Sequence, residues 1–327
     1  MPCIAESHLA RFRPPLAIIA SASSGHRSLY HRHRKALTII ASVAATILFA
    51  ALLFGRRHEL GTALGAASLL TLASGVVLQV LALLSRTEAW SVCVKAAGGS
   101  VGRRRLYRAS SVGYVGSLVN AQLGAAARIG ALRRSAPKDS PRVAPLIAAE
   151  LPIMAVEATL GALASVTLVG PLGLPWWSPL VALTATLLVS TGLRSLALRG
   201  GRTIWRGLAV LRSLRGQGAV VGLILIAVFA QIGRNWMLLH AVGVNASVFD
   251  ATAVLIGLIT LAQLPLGLST GTAAAVLILG PHGVAAVAAA GVLLSATGTA
   301  GGLCFAVWGV GDRAWCAASA TRLPTAT

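Results

Sequence analysis

Acidic residues are scarce in this 327-residue chain, which has eight Asp and Glu residues against 28 Lys and Arg and a net charge of +20. Charged residues of both signs make up only 11% of the chain, whereas a soluble domain carries about 25%. This shortage argues against a soluble globular enzyme. Aromatic residues are also few, at 5%, and they are not interleaved with a continuous basic stripe. The sequence therefore predicts no nucleic-acid partner.

Motifs for metals, cofactors and catalysis are missing as well. The four cysteines stand far apart, with no CxxC pair and no histidine at ligand spacing, which excludes a disulfide framework and a zinc site. The connections between apolar stretches are too short to hold a catalytic domain, and only residues 311–327 follow the last stretch. We therefore expect a protein that is not an enzyme and that uses no metal and no cofactor.

Long apolar stretches take up most of the chain, which is 56% hydrophobic. Because a helix needs about 20 apolar residues to cross a bilayer core, the sequence predicts an all-α polytopic membrane protein with about six to eight transmembrane helices. Residues 1–35 are expected to form a disordered basic tail, 36–310 a single transmembrane domain and 311–327 a short C-terminal tail. The predicted full-length spans are Ala36–Phe54, Gly61–Leu84, Val143–Val169, Leu180–Leu198, Gly218–Val242 and Gly283–Val310.

The distribution of basic residues predicts the orientation. Four connections hold 23 of the 28 Lys and Arg residues, whereas Gly170–Trp177 and Gly243–Ser247 hold none. Cytoplasmic loops carry an excess of Lys and Arg, so we expect a multi-pass protein of the cell membrane with a cytoplasmic N-terminus. The basic connections are Arg11–Lys35, Arg86–Arg108 (with an interfacial helix at Trp90–Lys95), Arg128–Arg142 and Arg194–Arg215.

The segment Ala109–Ala127 has nearly the length of a span but lies between two basic connections. If it crossed the membrane, the cluster that begins at Arg128 would lie outside. If it entered and left on one face, both clusters would be cytoplasmic. Its glycines, together with Asn120 and Gln122, suit a bend with a polar lining better than a lipid-facing helix. We therefore predict a re-entrant hairpin.

A second interrupted segment, Val248–Leu279, is too long for one untilted span and contains Pro and Gly residues in its middle. It predicts two half-length helices that meet at Leu264–Thr272, LPLGLSTGT. If this segment enters from the outside, the two hairpins approach from opposite faces, as inverted repeats around a midplane site do. Its hydroxyl groups either satisfy backbone freed by the break or line a polar path.

Two acids and an arginine are predicted inside the spans. Glu150 and Glu157 lie seven residues apart and share one face of an apolar helix. Intramembrane carboxylates cost about 2.5 kcal/mol or more, so they face a partner or a cavity. Either they form ion pairs with arginine, or they contact a headgroup amine or couple to protons. Arg234, beside Asn235, either snorkels to the outer interface or pairs with Glu157.

Arg128 and Arg133 lie at the exit of the predicted first hairpin. A guanidinium binds phosphate bidentately, so these residues suit the capture of a lipid headgroup; the alternative is simple anchoring of a cytoplasmic loop. The candidate substrate-binding residues are Asn120, Arg128, Arg133, Glu150, Glu157, Arg234, Asn235, Ser269, Thr270, Gly271 and Thr272.

The segment Asn120–Arg134, NAQLGAAARIGALRR, resembles the Asn-containing, Arg-x-Gly motif of the lysylphosphatidylglycerol synthase transmembrane region, a flippase-like family. The similarity extends over Ala36–Val310 and includes LPLGLSTGTAAA, which is similar to the Pro- and Gly-rich turn of the family. Ala126 stands where a Pro is usual, and Ala131 and Ala273–Ala275 stand where acids are usual. The resemblance implies a lipid flippase or a related integral membrane protein without the aminoacyl-transferring domain.

These observations predict a membrane transporter that handles an anionic phospholipid or a lipid-linked precursor, with anionic membrane lipids as its partners. Two alternatives stay open. One is a structural or partner-binding membrane subunit, which the missing family acids favour. The other is a membrane glycosyltransferase, which would need acids or histidines on larger outer loops than this sequence has.

Overall fold

The computed structural model describes residues 57–117, 121–199, 203–261, 270–279 and 284–321, and most of these residues are helical. Five described helical stretches are long and apolar enough to cross a membrane, so the prediction of an all-α multi-pass membrane protein is confirmed. The predicted span Ala36–Phe54 lies outside the described residues. The helices are α1 (Arg57–Ala66), α2 (Leu69–Ala96), α3 (Arg103–Ser117), α4 (Ala121–Ser135), α5 (Val143–Ala148), α6 (Leu151–Ala164), α7 (Ser178–Arg199), α8 (Leu214–Ala241), α9 (Val248–Leu261), α10 (Thr270–Leu279) and α11 (Val284–Thr321).

The predicted span Gly61–Leu84 is divided between α1 and α2. Ser68 caps α2, because its side chain accepts a hydrogen bond from the Thr71 amide at 3.1 Å. From there α2 runs for 28 residues, about 42 Å, and continues through the predicted loop. The prediction of a loop at Arg86 with a separate interfacial helix at Trp90–Lys95 is therefore wrong.

The charges of Arg86 and Glu88, which suggested a loop, are paired with charges of neighbouring helices. Arg86 pairs with Glu157 of α6, and Trp90 is fully buried. The connection at Arg194–Arg215 is likewise more ordered than predicted, since Thr203–Arg212 forms a 3₁₀ helix. That helix packs against α5 so closely that a Cβ on Gly207 would overlap the carbonyl oxygen of Pro145.

α2 and α8 form an antiparallel pair at the centre of the fold. Gly75 lies beside Leu238, and one turn further along α2, Gln79 meets Arg234, one turn back along α8. The absence of a side chain at Gly75 allows this close approach. Helices α3, α6, α9 and α11 pack against this pair.

Two helices form the hairpin predicted at Ala109–Ala127, whereas its entry and exit on one face of the membrane stay a prediction. α3 and α4 have 15 residues each, about 22 Å, and pack side by side. Glycine is required between them, because a Cβ on Gly113 would lie 2.7 Å from the Cβ of Arg128. The two flanks meet at one end, where the Ser100 amide donates to the Asp139 carbonyl at 3.1 Å. We call α3 and α4 the first hairpin.

The second interrupted segment is also divided into two short helices as predicted, α9 with 14 residues and α10 with 10. They pack together at Gly257, whose position faces Ala274. The first hairpin follows the C-terminal end of α2, and this second hairpin follows the C-terminal end of α8. Because α2 and α8 are antiparallel, the hairpins lie at opposite ends of the pair, in the arrangement expected for inverted repeats.

α11 is longer than predicted and presents glycines to the first hairpin. It runs for 38 residues to Thr321, beyond the predicted end of the span at Val310. A Cβ on Gly302 would overlap the ring of Tyr114, and a Cβ on Gly309 would lie 2.8 Å from the Cβ of Ser111. α3 therefore lies directly on a face of α11 that has no side chains at these positions.

Cysteine accessibility tests the hairpin and its predicted side. In a background without native cysteines, cysteine in place of exposed Ser100 or Lys138 should resist an impermeant maleimide in intact cells. Cysteine in place of Leu174, in the exposed connection before α7, should react and serves as the outside control. Reaction at just one of the two hairpin flanks would contradict the hairpin, and reaction at both would reverse the predicted orientation.

Candidate functional site

Five acids of the described residues lie around the first hairpin, and each of these five forms a pair with arginine. These pairs join α2, α3, α4, α6, α11 and the loops beside them to one another. They also leave much of the basic charge near the first hairpin locally neutralised. The pairs are Arg86–Glu157 at 2.9 Å, Arg103–Glu88 at 3.0 Å, Arg105–Asp139 at 3.2 Å, Arg108–Asp312 at 2.5 Å and Arg128–Glu150.

Arg128 of the first hairpin pairs with Glu150 at the start of α6, and both side chains are largely enclosed. Arg128 Nη2 donates to Glu150 Oε2, and each side chain is only 15% exposed. The guanidinium also lies over the indole ring of Trp90, with 4.4 Å between Cζ and the ring centroid. Glu150 Oε1 and Trp90 Nε1 are buried without a hydrogen-bond partner among the described residues. The pair is thus enclosed, but two polar atoms next to it lack a hydrogen bond within the described residues.

Arg86 and Glu157 extend this arrangement along the same helices. Arg86 is one turn from Trp90 on α2, and Glu157 is two turns from Glu150. Their side chains are 50% and 30% exposed, which leaves the pair open on one side. Charges that lie within apolar spans face water or polar groups and avoid lipid tails. We call Arg86, Trp90, Arg128, Glu150 and Glu157 the paired-charge cluster.

The predicted pairing of Glu157 with Arg234 is wrong. Glu157 meets Arg86, whereas Arg234 Nη1 donates to Gln79 Oε1. Gln79 and Arg86 are seven residues apart on α2, so the two sites differ in depth by about 10 Å. Arg234 does not snorkel either, because the residue is only 6% exposed.

Arg234 is enclosed by α2, α3 and α11, and no carboxylate of the described residues lies within 4.0 Å of it. Its Nε atom is buried without a hydrogen-bond partner in the described part of the chain. Gly298 lies beside the guanidinium, since a Cβ there would be 3.4 Å from Nη1. Tyr114 of the first hairpin completes the enclosure, and its hydroxyl donates to the Gly298 carbonyl at 2.9 Å. We call Gln79, Tyr114, Arg234 and Gly298 the arginine cradle.

The two sites lie along one face of α2. Gln79, Arg86 and Trp90 are at positions i, i+7 and i+11, which share a helix face. This polar stripe joins the arginine cradle to the paired-charge cluster. Sequence reasoning missed all three residues, together with Tyr114, although the helical spacing was readable once α2 was extended beyond Leu84.

Other predicted residues have more local roles. Arg133 Nη1 donates to the carbonyl oxygens of Pro137, Ser140 and Pro141, each at 3.4 Å, and so binds the loop after α4. Asn235 is fully buried and its Nδ2 lies 3.5 Å from the Ala251 carbonyl oxygen, which joins α8 to α9.

The predicted residues of the second hairpin are only partly described. Thr272 is buried within α10. The backbone of Thr270 and Gly271 belongs to the first turn of that helix. Asn120 and Ser269 lie outside the described residues, and their predicted roles stay predictions.

A cavity of about 410 Å³ lies where the end of α2 approaches the start of α5. It is lined by Ala97, Gly98, Pro141, Arg142, Pro145 and Arg206. Within the described ranges, no three His, Cys, Asp or Glu side chains come together in a way that could hold a metal ion. The independence from metals stays a prediction.

Comparisons with known protein families, with curated proteins and with solved structures found no match to this chain. The resemblance to the lysylphosphatidylglycerol synthase transmembrane region therefore stays a prediction that rests on the sequence motifs alone.

Proposed function

We propose that this multi-pass membrane protein moves an anionic phospholipid, or a lipid-linked precursor with a phosphate group, between the two leaflets. The observation that carries the proposal is the polar stripe of α2, which has an arginine site at each end of it. A headgroup that crosses a bilayer needs polar contacts inside the apolar core, because each unsatisfied polar group there costs several kcal/mol. The stripe supplies such contacts across about 16 Å, the rise of the 11 residues from Gln79 to Trp90.

The paired-charge cluster is suited to receive the headgroup first. A guanidinium fork binds two phosphate oxygens, so a lipid phosphate competes with Glu150 for Arg128. Glu150 Oε1 has no hydrogen-bond donor among the described residues, so Glu150 is bound to Arg128 through Oε2 and is easier to displace. The half-exposed Arg86–Glu157 pair lies beside it and offers both charges to an approaching headgroup.

The two hairpins support movement through the protein. They lie at opposite ends of the α2–α8 pair, and each has helices of 15 residues or fewer, too short to span about 30 Å of hydrocarbon. Non-helical backbone is tolerated at membrane depth only where protein or a water-filled cavity covers it. In this proposal, the hairpins that start at opposite ends of the α2–α8 pair give the headgroup a protein-lined route from each leaflet.

Lipid scrambling in reconstituted vesicles tests the role of Arg128. A fluorescent phosphatidylglycerol should be translocated by the wild type, more slowly by Arg128→Lys, and at least about tenfold more slowly by Arg128→Ala. Lys keeps the charge but lacks the fork, whereas Ala loses a charge-assisted interaction of about 1.5–3 kcal/mol. Arg134→Ala is the matched control, because Arg134 is an exposed arginine of the same helix and should translocate lipid as the wild type does.

A neutral double variant separates transport from folding. Arg128→Gln with Glu150→Gln removes both charges together and leaves neither one buried alone. It should keep the expression level of the wild type and lose transport. Wild-type rates in this double variant would refute the role of Arg128, and a wild type that moves no anionic lipid would favour a structural or partner-binding subunit.

A further inference from the structure

Arg234 differs from Arg128, which is also enclosed, in having no acid beside it among the described residues. Its guanidinium stays charged in any protein environment, and an arginine at membrane depth is among the costliest residues to insert. Gln79 offers one neutral oxygen, and the Tyr114 hydroxyl is already donated to the Gly298 carbonyl. None of these groups neutralises the charge. Within the described part of the chain, the cradle therefore contains a buried cation without a counter-anion.

The atom of the guanidinium that lacks a hydrogen-bond partner among the described residues indicates which anion fits. Nη1 is occupied by Gln79, whereas Nε, buried and without a partner in the described part of the chain, belongs to the opposite edge, formed by Nε and Nη2. That edge can bind two oxygens of a phosphate or carboxylate side by side. Gly298 lies on the Nη1 side of the group, where its lack of a side chain lets α11 approach the guanidinium.

We propose that the arginine cradle is an intramembrane binding site for the phosphate group of a lipid, with Arg234 as its anion-binding residue. This inference rests on the proposed function and specifies a second station for the headgroup, about 10 Å along α2 from the Arg86–Glu157 pair. The phosphate completes the hydrogen bonding of Nε and neutralises the guanidinium. The two sites thus differ in the source of the negative charge. In the paired-charge cluster the glutamates supply it, whereas in the cradle the lipid phosphate supplies it.

Thermal unfolding of the purified full chain in detergent distinguishes this site from a structural arginine. Without added lipid, Arg234→Met should raise the Tm, because it replaces an uncompensated buried charge by an apolar side chain of similar length. Arg128→Met, the matched control, should lower the Tm because it strands Glu150. Since Arg234→Met leaves Gln79 without its donor, the double variant Gln79→Leu/Arg234→Met is measured beside it and should be at least as stable.

Lipid binding is the second readout. Phosphatidylglycerol should raise the Tm of the wild type, and the apparent affinity obtained from that shift should fall at least tenfold in Arg234→Met. Arg234→Lys, which keeps the charge, should lose less. Diacylglycerol, which has no phosphate, should produce no shift. Inorganic phosphate is the third probe: a shift as large as that with phosphatidylglycerol would assign the site to free phosphate and overturn the lipid proposal.

The outcomes separate this inference from the proposed function. If Arg234→Met and the double variant both unfold at lower temperature than the wild type and keep the phosphatidylglycerol shift, Arg234 is structural and the inference is overturned, whatever the transport rates are. If phosphatidylglycerol binding depends on Arg234 in a wild type that scrambles no lipid, the cradle is a lipid-binding site and the transport proposal alone fails.

Discussion

Glu150→Leu should be among the most destabilising single substitutions in the described part of this chain. It leaves Arg128, whose side chain is 15% exposed, without its counter-charge, and breaking a buried pair costs about 3–5 kcal/mol. Chemical unfolding in detergent measures the loss. Adding Arg128→Met to Glu150→Leu should recover most of it, because no charge is then left alone.

The matched control is the exposed pair Arg105–Asp139, in which the side chains are 50% and 47% exposed. Asp139→Leu should cost no more than about 1 kcal/mol, as surface pairs do. Equal losses at Asp139 and Glu150, or strictly additive losses in the double variant at Arg128 and Glu150, would show that the enclosed pair contributes nothing specific.

Gly302→Ala should destabilise the contact between α11 and the first hairpin. A Cβ at this position overlaps the ring of Tyr114, and overpacking of a close contact costs about 1–3 kcal/mol. The substitution would otherwise favour the helix by about 1 kcal/mol, so a measured loss reports the clash against that gain. Thermal unfolding and protease resistance of the first hairpin provide the measurement.

Two variants show whether the ring is the cause. Gly311→Ala is the matched control on the same helix, because a Cβ at Gly311 meets no atom within 4 Å, and it should be neutral or stabilising. Tyr114→Ala should make Gly302→Ala tolerable, since the ring is then gone. A stable Gly302→Ala protein with Tyr114 intact would mean that α3 does not lie on α11 as described.

Both hairpins could be predicted from the sequence, because their signal is local. Glycines and polar residues interrupt the Ala109–Ala127 and Val248–Leu279 segments, and basic residues on both flanks of the first one allow just one economical topology. The extension of α2 could not be read in the same way. Arg86 and Glu88 look like the start of a loop until their partners, Glu157 and Arg103, are known.

The choice of partners was beyond the sequence for a geometric reason. Glu157 and Arg234 were matched by charge, although α2 separates their sites by two helical turns. Gln79 and Tyr114 attracted no attention, because a lone Gln or Tyr in an apolar helix gives no pattern. They became candidates only when the packing of α2, α3 and α11 brought them to one arginine.

The close packing of the first hairpin on α11 and its position along the axis of α11 depend on different contacts. Gly302 and Gly309 allow α3 to lie close, but they provide no ridges to fix the position of α3 along the axis. That position is set by the Tyr107 ring, which packs against Phe305 and Trp308 between the two glycines, and by the polar contacts of Tyr114 with the Gly298 carbonyl and of Arg108 with Asp312. Weakening these contacts together should leave the hairpin attached in several axial positions, so spectroscopic heterogeneity would report the loss before stability does.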